Sequence, residues 1–241
     1  MIENKYKDFN IYTFDRKYIN LAQLIIDKKY SIVSKLKDTP RNFVAIIEIE
    51  NQKYVLKEPR NEYRIPQRQL FSFFKDGEAL ASLKNINKLI YNYNFKEFVE
   101  IFLAANKRKN GFIVDSFILM EFVDGEIKND SHHKDIAINL MKSIHSKHIY
   151  HGDFNPSNFI FDKKNDIKIL DTKGDSFWFG NYRAHYDMIT MWYDSYDDMI
   201  YPYPKNFFYY LAFIFKILKR NSLLQKIKFY KKKLRDRGWK I

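Results

Sequence analysis

Three side chains in the segment 151–171, HGDFNPSNFIFDKKNDIKILD, have the types and spacing that phosphoryl transfer needs. Asp153 offers a carboxylate that can orient an attacking hydroxyl and accept its proton. Asn158 offers an amide oxygen and Asp171 a second carboxylate, the kind of oxygen donors that hold a magnesium ion on nucleotide phosphates. Between them, Phe159-Ile160-Phe161 and the run 167–170 are short and apolar, and the turn 162–166 is polar, which predicts a hairpin of two strands. Its closure draws Asn158 and Asp171 together, so that both reach one Mg2+. An HxD tripeptide alone is common and fits an ordinary turn. The chemical reading rests on the whole spacing: Asp153, then Asn158, then a hairpin, then Asp171.

These groups need a scaffold. Ser131 is placed to cap a helix with Ile136, Leu140, Met141 and Ile144 on one stripe, leading into the loop at 151. His151 reads as a buried histidine that holds the loop backbone, leaving Asp153 as the base. The stretch 183–191 reads as a helix whose Asp187 can accept bonds from that backbone. His132, His133, His145 and His148 do not make a metal set. His132 and His133 are adjacent, face different ways on a helix, and read as solvated.

Upstream, 31–36 and 43–49 read as strands, Asn51-Gln52 as a turn, and 53–56 as a third strand ending at Lys57. Apolar residues between 68 and 87 follow helical spacing, interrupted by Gly77. The stretch 95–106 is a strand or helix end, 107–111 a basic turn, and 112–122 an apolar strand running into Val123-Asp124-Gly125. Residues 1–29 mix aromatic and charged types, with a short helix over 19–26.

At 241 residues the chain can bury a large core as one domain of two lobes. With 18% aromatic and 29% charged residues it is globular, not disordered. The net charge of +13 favours anionic partners such as nucleotide, anionic lipid or glycolipid, or nucleic acid, although a bias toward Lys, Asn, Ile, Phe and Tyr also inflates it. The absence of cysteine excludes disulfides and thiolate metal sites. The start, MIENKYKDFN, lacks the pattern of a secretory signal. No apolar run is long enough to span a bilayer; the longest candidate, 207–218, carries Lys216. From 205 onward the chain turns basic and aromatic. Phe207, Tyr210, Leu211, Ile214 and Leu218 share one helix face, and Lys216, Lys219, Arg220, Lys226, Lys228 and Lys231 to Lys233 supply charge. Two readings follow: a basic amphipathic helix lying on an anionic bilayer, or a helix that packs this face on the core. The stretch 231–237 reads as a surface patch.

YVLK at 54–57, MEFVDG at 120–125, HGDFNPSNF at 151–159 and DTKG at 171–174 resemble the catalytic core of the protein-kinase-like fold. The resemblance is to the branch with HGD in place of HRD, which includes aminoglycoside and choline phosphotransferases. Over its whole length the chain most resembles the lipopolysaccharide core heptose (II) kinase family. That resemblance implies an α+β, bilobal fold: an antiparallel-sheet N-lobe over about 1–121, a hinge at 121–125, and a mainly helical C-lobe over 126–241 with basic C-terminal helices at 205–241. It implies ATP and Mg2+ as cofactors, with Asp153 and Lys57 catalytic, Lys57 on the phosphates, and Asn158 and Asp171 on the metal. Glu78 is the expected ion-pair partner of Lys57, with Glu62 its rival. Glu121 and Val123 would meet adenine through their main chain. The implied acceptor is a heptose of the lipopolysaccharide core, in the cytoplasm or peripherally on the inner face of the cytoplasmic membrane, with no nucleic acid partner.

The chain also departs from the pattern. No glycine precedes Lys57, so phosphate binding at the first hairpin would fall to side chains such as Lys37 or Arg41. Asp-Phe-Gly is replaced by DTKG, and neither Ala-Pro-Glu nor a long activation segment follows, which argues against a regulated protein kinase. Two alternatives stand: a kinase for another surface glycan, small alcohol or protein Ser/Thr, and a catalytically weak lipid- or RNA-binding module on the same fold.

Overall fold

The computed structural model describes residues 1–172, 174–220 and Tyr230. The chain divides into two compact units, Met1–Phe122 and a second that begins at Val123. The first contains β1 (Ile2–Tyr6), β2 (Phe9–Thr13), α1 (Tyr18–Ile26), β3 (Ser31–Asp38), β4 (Phe43–Ile49), β5 (Gln52–Glu58), α2 (Asn61–Arg64), α3 (Pro66–Ser72), α4 (Glu78–Asn87), a π-helical turn at Lys88–Asn92, β6 (Ile101–Lys109) and β7 (Phe112–Glu121). Its strands form one antiparallel sheet in the order β1-β2-β6-β7-β5-β4-β3.

The sequence dictates much of this sheet locally. Burial along β4 alternates residue by residue, as a strand with one face on the core requires. Two-residue turns at Glu50-Asn51 and Asn110-Gly111 have positive φ at both positions, the conformation that matches the twist of a hairpin. The first turn therefore lies one residue earlier than the expected Asn51-Gln52. On one face Leu21, Ala22 and Ile25 of α1 pack against Ala45, Ile47, Leu56 and Leu103. α4 packs against β6 and buries Leu80, Leu83 and Ile86. The helix expected over 19–26 is present as α1, whereas the hairpin β1–β2 lies in a stretch to which the residue pattern assigns no element. β1 exposes alternate polar residues, and only Ile11, Tyr12 and Thr13 of β2 are buried there.

The second unit contains β8 (Gly125–Glu126), α5 (Ser131–Ser146), β9 (Ile149–Tyr150), a 3-10 turn at Pro156–Asn158, β10 (Phe159–Asp162), β11 (Ile167–Ile169), β12 (Asp175–Ser176), α6 (Tyr182–Ser195) and α7 (Phe207–Arg220). The strands are short: β11-β10-β8 form one small sheet, and β9 pairs with β12. The chain is thus α+β, with an antiparallel-sheet unit followed by a mainly helical one, as the resemblance implies.

Four local expectations need correction. The cap of α5 is Asp130, not Ser131: Asp130 has extended backbone, and its carboxylate accepts from the His133 N–H at 3.1 Å. His133 is not simply solvated. Its ring lies between Asp130 (2.6 Å) and Asn165 (3.0 Å) and stacks edge-on against Phe161, tying the start of α5 to the β10–β11 hairpin. Phe207, Tyr210, Ile214 and Leu218 of α7 face solvent, while Tyr209, Ala212 and Lys216 face inward. Lys216 supplies no surface charge, because its ammonium is buried against Thr190 (3.1 Å) and Asp194 (2.7 Å) of α6. The expectations for Lys226, Lys228, Lys231 to Lys233 and the patch 231–237 lie outside the described residues, as does Lys173 of DTKG.

Candidate active site

The loop between β9 and β10 carries Asp153 and Asn158. His151 is buried, its ring against Phe154 and Phe159, and its Nδ1 accepts the Asp153 N–H at 3.3 Å. Burial pushes the His151 imidazole pKa down, so it stays neutral and acts as a strut, not a proton carrier. The loop backbone is held from a second side by Asp187 of α6. Its Oδ2 accepts the His151 N–H at 2.6 Å and its Oδ1 the Gly152 N–H at 2.9 Å. Asp187 is held in turn by His145 of α5 at 3.3 Å, whose other ring nitrogen meets the Tyr203 hydroxyl at 2.8 Å. A charged acceptor on two buried N–H groups is among the stronger polar contacts a fold can make. Asp187 therefore does what its sequence position suggests, while the His145–Tyr203 support behind it has no local sequence signal.

With its backbone pinned, Asp153 leaves its side chain exposed. The Asp153 carbonyl accepts from the side-chain amides of Asn158 (2.7 Å) and Asn155 (3.2 Å). Asn155 also caps the following turn by accepting from the Ser157 N–H. The Asn158 contact has a chemical consequence. Its amide nitrogen is committed to the loop, so the amide oxygen is the atom left to serve as a ligand.

The hairpin closes as its pattern predicts, with Phe159 opposite Ile169 and Phe161 opposite Ile167. Asp162 holds the turn by accepting from the Lys164 and Asp166 N–H groups. At the open end the Leu170 N–H donates to the Asn158 carbonyl at 2.8 Å, which sets Asp171 beside Asn158. Asp171 has φ +47, a left-handed conformation uncommon outside glycine and concentrated where function demands it. Thr172 fastens the next residue by donating to the His151 carbonyl at 3.3 Å. Asp153, Asn158 and Asp171 thus belong to one hydrogen-bonded loop and hairpin. A carboxylate and an amide oxygen are hard donors that fit Mg2+, which takes one or two protein ligands and fills its shell with phosphate oxygens and water.

In the first unit, Lys57 is the penultimate residue of β5, lies opposite Ile118 of β7 and is half-buried. Strand alternation puts it on the sheet face opposite Leu56. Ser116, two residues from Ile118, shares the Lys57 face, and its hydroxyl donates to Glu62 Oε2 at 3.3 Å. Glu62 is buried, and its Oε1 accepts the Glu78 N–H at 2.6 Å, capping α4. Burial pushes the Glu62 carboxyl pKa up. Glu78 is placed differently: its carboxylate is exposed, 3.8 Å from Arg68. Sheet register thus brings Glu62 to the Lys57 face, while the Glu78 carboxylate is drawn toward Arg68. The Glu121 N–H is taken by the Glu100 carbonyl at 2.9 Å, and Val123 opens the second unit.

A protein-family model matches most of the chain. The model for lipopolysaccharide core biosynthesis proteins (WaaY) matches residues 1–231, a span that includes both units and every residue of the candidate site. The chain belongs to that family, and its work lies in the biosynthesis of the lipopolysaccharide core.

Proposed function

We propose that the protein is a kinase that transfers the γ-phosphoryl group of ATP to a sugar hydroxyl of the lipopolysaccharide core, with a heptose as the acceptor. One observation carries this reading: Asp153, Asn158 and Asp171 are joined in a single hydrogen-bonded loop and hairpin, with the Asn158 oxygen left over for a ligand. Asp153 receives the acceptor hydroxyl and takes its proton as the sugar oxygen bonds to the γ-phosphorus. The bond from that phosphorus to the bridging oxygen breaks, and ADP leaves. Asn158 and Asp171 would hold Mg2+, which neutralises charge on the phosphates when bound. Lys57 pairs with the phosphates. Glu62, by its burial and its place on the Lys57 face, is the better candidate to orient Lys57, and Glu78 is the alternative to be tested beside it. The main chain at Glu121 and Val123 receives adenine. The reaction belongs on the cytoplasmic side, where ATP is available.

The test is ADP release by purified protein supplied with Mg-ATP and core glycolipid, read together with the mass of the glycolipid. A gain of one phosphate on a heptose is expected. No ADP, with an acceptor confirmed to be unphosphorylated, refutes the assignment. Glu62→Gln and Glu78→Gln separate the two carboxylates: the one that orients Lys57 raises the KM for ATP when replaced.

A further inference from the structure

α7 presents its apolar stripe outward. Phe207, Tyr210, Ile214, Ile217 and Leu218 recur at helical spacing, and all are 44–69% exposed. The opposite stripe, Tyr209, Ala212 and Lys216, faces inward, with Lys216 held by Thr190 and Asp194 of α6. The ion pair and the small Ala212 thus fix which face of the helix looks out. The apolar surface continues past the helix. Phe208 packs on Phe179 (5.5 Å between ring centres), and beside it Trp178 stands 91% exposed. A Cβ at Gly180 would collide with the Phe208 ring, so the glycine lets this loop lie close on the start of α7. Two separate elements therefore build one exposed aromatic and aliphatic patch, of a kind soluble surfaces seldom carry without a partner.

Charge identifies the partner. Residues 205–241 contain twelve Lys and Arg against one Asp, so all but two of the chain's thirteen net positive charges lie in this stretch. Compositional bias would spread the charge along the chain and does not explain this concentration. α7 has no acidic residue, and exposed Lys205 and Lys219 lie near its two ends. Trp, Tyr and Phe beside Lys and Arg suit the boundary between acyl chains and anionic headgroups, where rings enter the apolar zone and cations stay with phosphate. No described helix is long and apolar enough to cross a membrane, so the element would lie on the surface.

We infer that the outward face of α7, with the Trp178-Phe179 loop, docks the protein on an anionic phospholipid bilayer. This inference does not rest on phosphoryl transfer. Family membership adds a reason for such a surface, because lipopolysaccharide is anchored in a membrane by its own acyl chains. Docking would bring the protein into the plane where that glycolipid is held.

The test is flotation of the full-length protein with vesicles of phosphatidylglycerol and phosphatidylethanolamine, and with vesicles of phosphatidylcholine alone, without nucleotide or glycolipid. The protein should float with the anionic vesicles and not with phosphatidylcholine. The triple variant Phe207→Ser, Tyr210→Ser, Ile214→Ser should partition about tenfold less or weaker still, since three apolar anchors are lost. Trp178→Ser should weaken binding in the same direction, and it carries the test if the triple variant fails to fold. Asp153→Asn should float like the wild type, so a failure of the kinase assignment would leave this result untouched. The inference is overturned if the wild type ignores anionic vesicles, or if the apolar variants float as well as the wild type. It is also overturned if sedimentation shows a dimer that the triple variant dissociates while flotation stays unchanged, since a second copy would then cover the patch.

Discussion

The fold leaves exposed the side chains proposed to carry the chemistry, Asp153 and Asp171, while neighbours fix their backbones. Asp153→Asn should therefore lower kcat by about 10²- to 10⁴-fold with an unchanged Tm, since the proposed general base is lost and no buried contact is. Asp171→Asn should do the same to activity, because asparagine tolerates the left-handed backbone but brings less charge to a cation. Coupled assay of ADP release beside thermal melting checks both. Asp187 is the opposite case. Its carboxylate is 1% exposed and satisfies two loop N–H groups, so Asp187→Ala leaves buried donors without an acceptor. A loss of about 2 kcal/mol or more is expected, with activity falling as the loop loosens. Chemical denaturation gives the first and kcat the second. The loop and hairpin that join Asp153, Asn158 and Asp171 are legible in the residue order because all three lie within one local segment. The contest between Glu62 and Glu78 is not legible there, because the Ser116 contact that bears on it depends on sheet register.

At the level of elements, the start of α4 shows a constraint that spacing hints at without explaining. Gly77 interrupts the helical pattern, and it does so with φ +87. A Cβ there would come within 2.8 Å of Glu62 Oε1 and would also strike Ile113. The glycine thus allows the Glu62 carboxylate to reach the first N–H of α4. Gly77→Ala combines a forbidden backbone conformation with a steric clash at that cap. It should cost about 1–3 kcal/mol and lower Tm by several degrees. Glu62→Ala should cost less, since it removes the cap and creates no clash; paired melting curves rank the two. The short strands β8 and β12 mark the limit of pattern reading, because two residues have no periodicity to detect.

For the whole molecule, buried titratable groups bound the pH range of stability. Burial lowers the pKa of His151 and of His185. Both are therefore neutral when folded, whereas the unfolded chain takes up a proton near the ordinary histidine value of about 6.5. Their contribution is complete above that pH and is lost as pH falls from there toward the lowered folded values. Glu62 works in the other direction. Its raised pKa favours the folded state below the ordinary carboxylate range, and that advantage disappears as pH rises through the folded value. Tm should decline between pH 7 and pH 5, and His185→Gln should flatten that decline; melting curves across buffers of matched ionic strength check it.

The residue order alone established the α+β class, the strands flanking Lys57, the β10–β11 hairpin and the family, because alternation, turn chemistry and motif spacing are all local. It could not establish which side of α7 is buried. Periodicity marks one apolar face on that helix, but it does not say whether that face packs on the core or looks outward. The choice fell to Thr190 and Asp194, which lie on α6 and accept the Lys216 ammonium. A buried cation must meet its acceptors, and satisfying that one side chain turned the aromatic stripe outward.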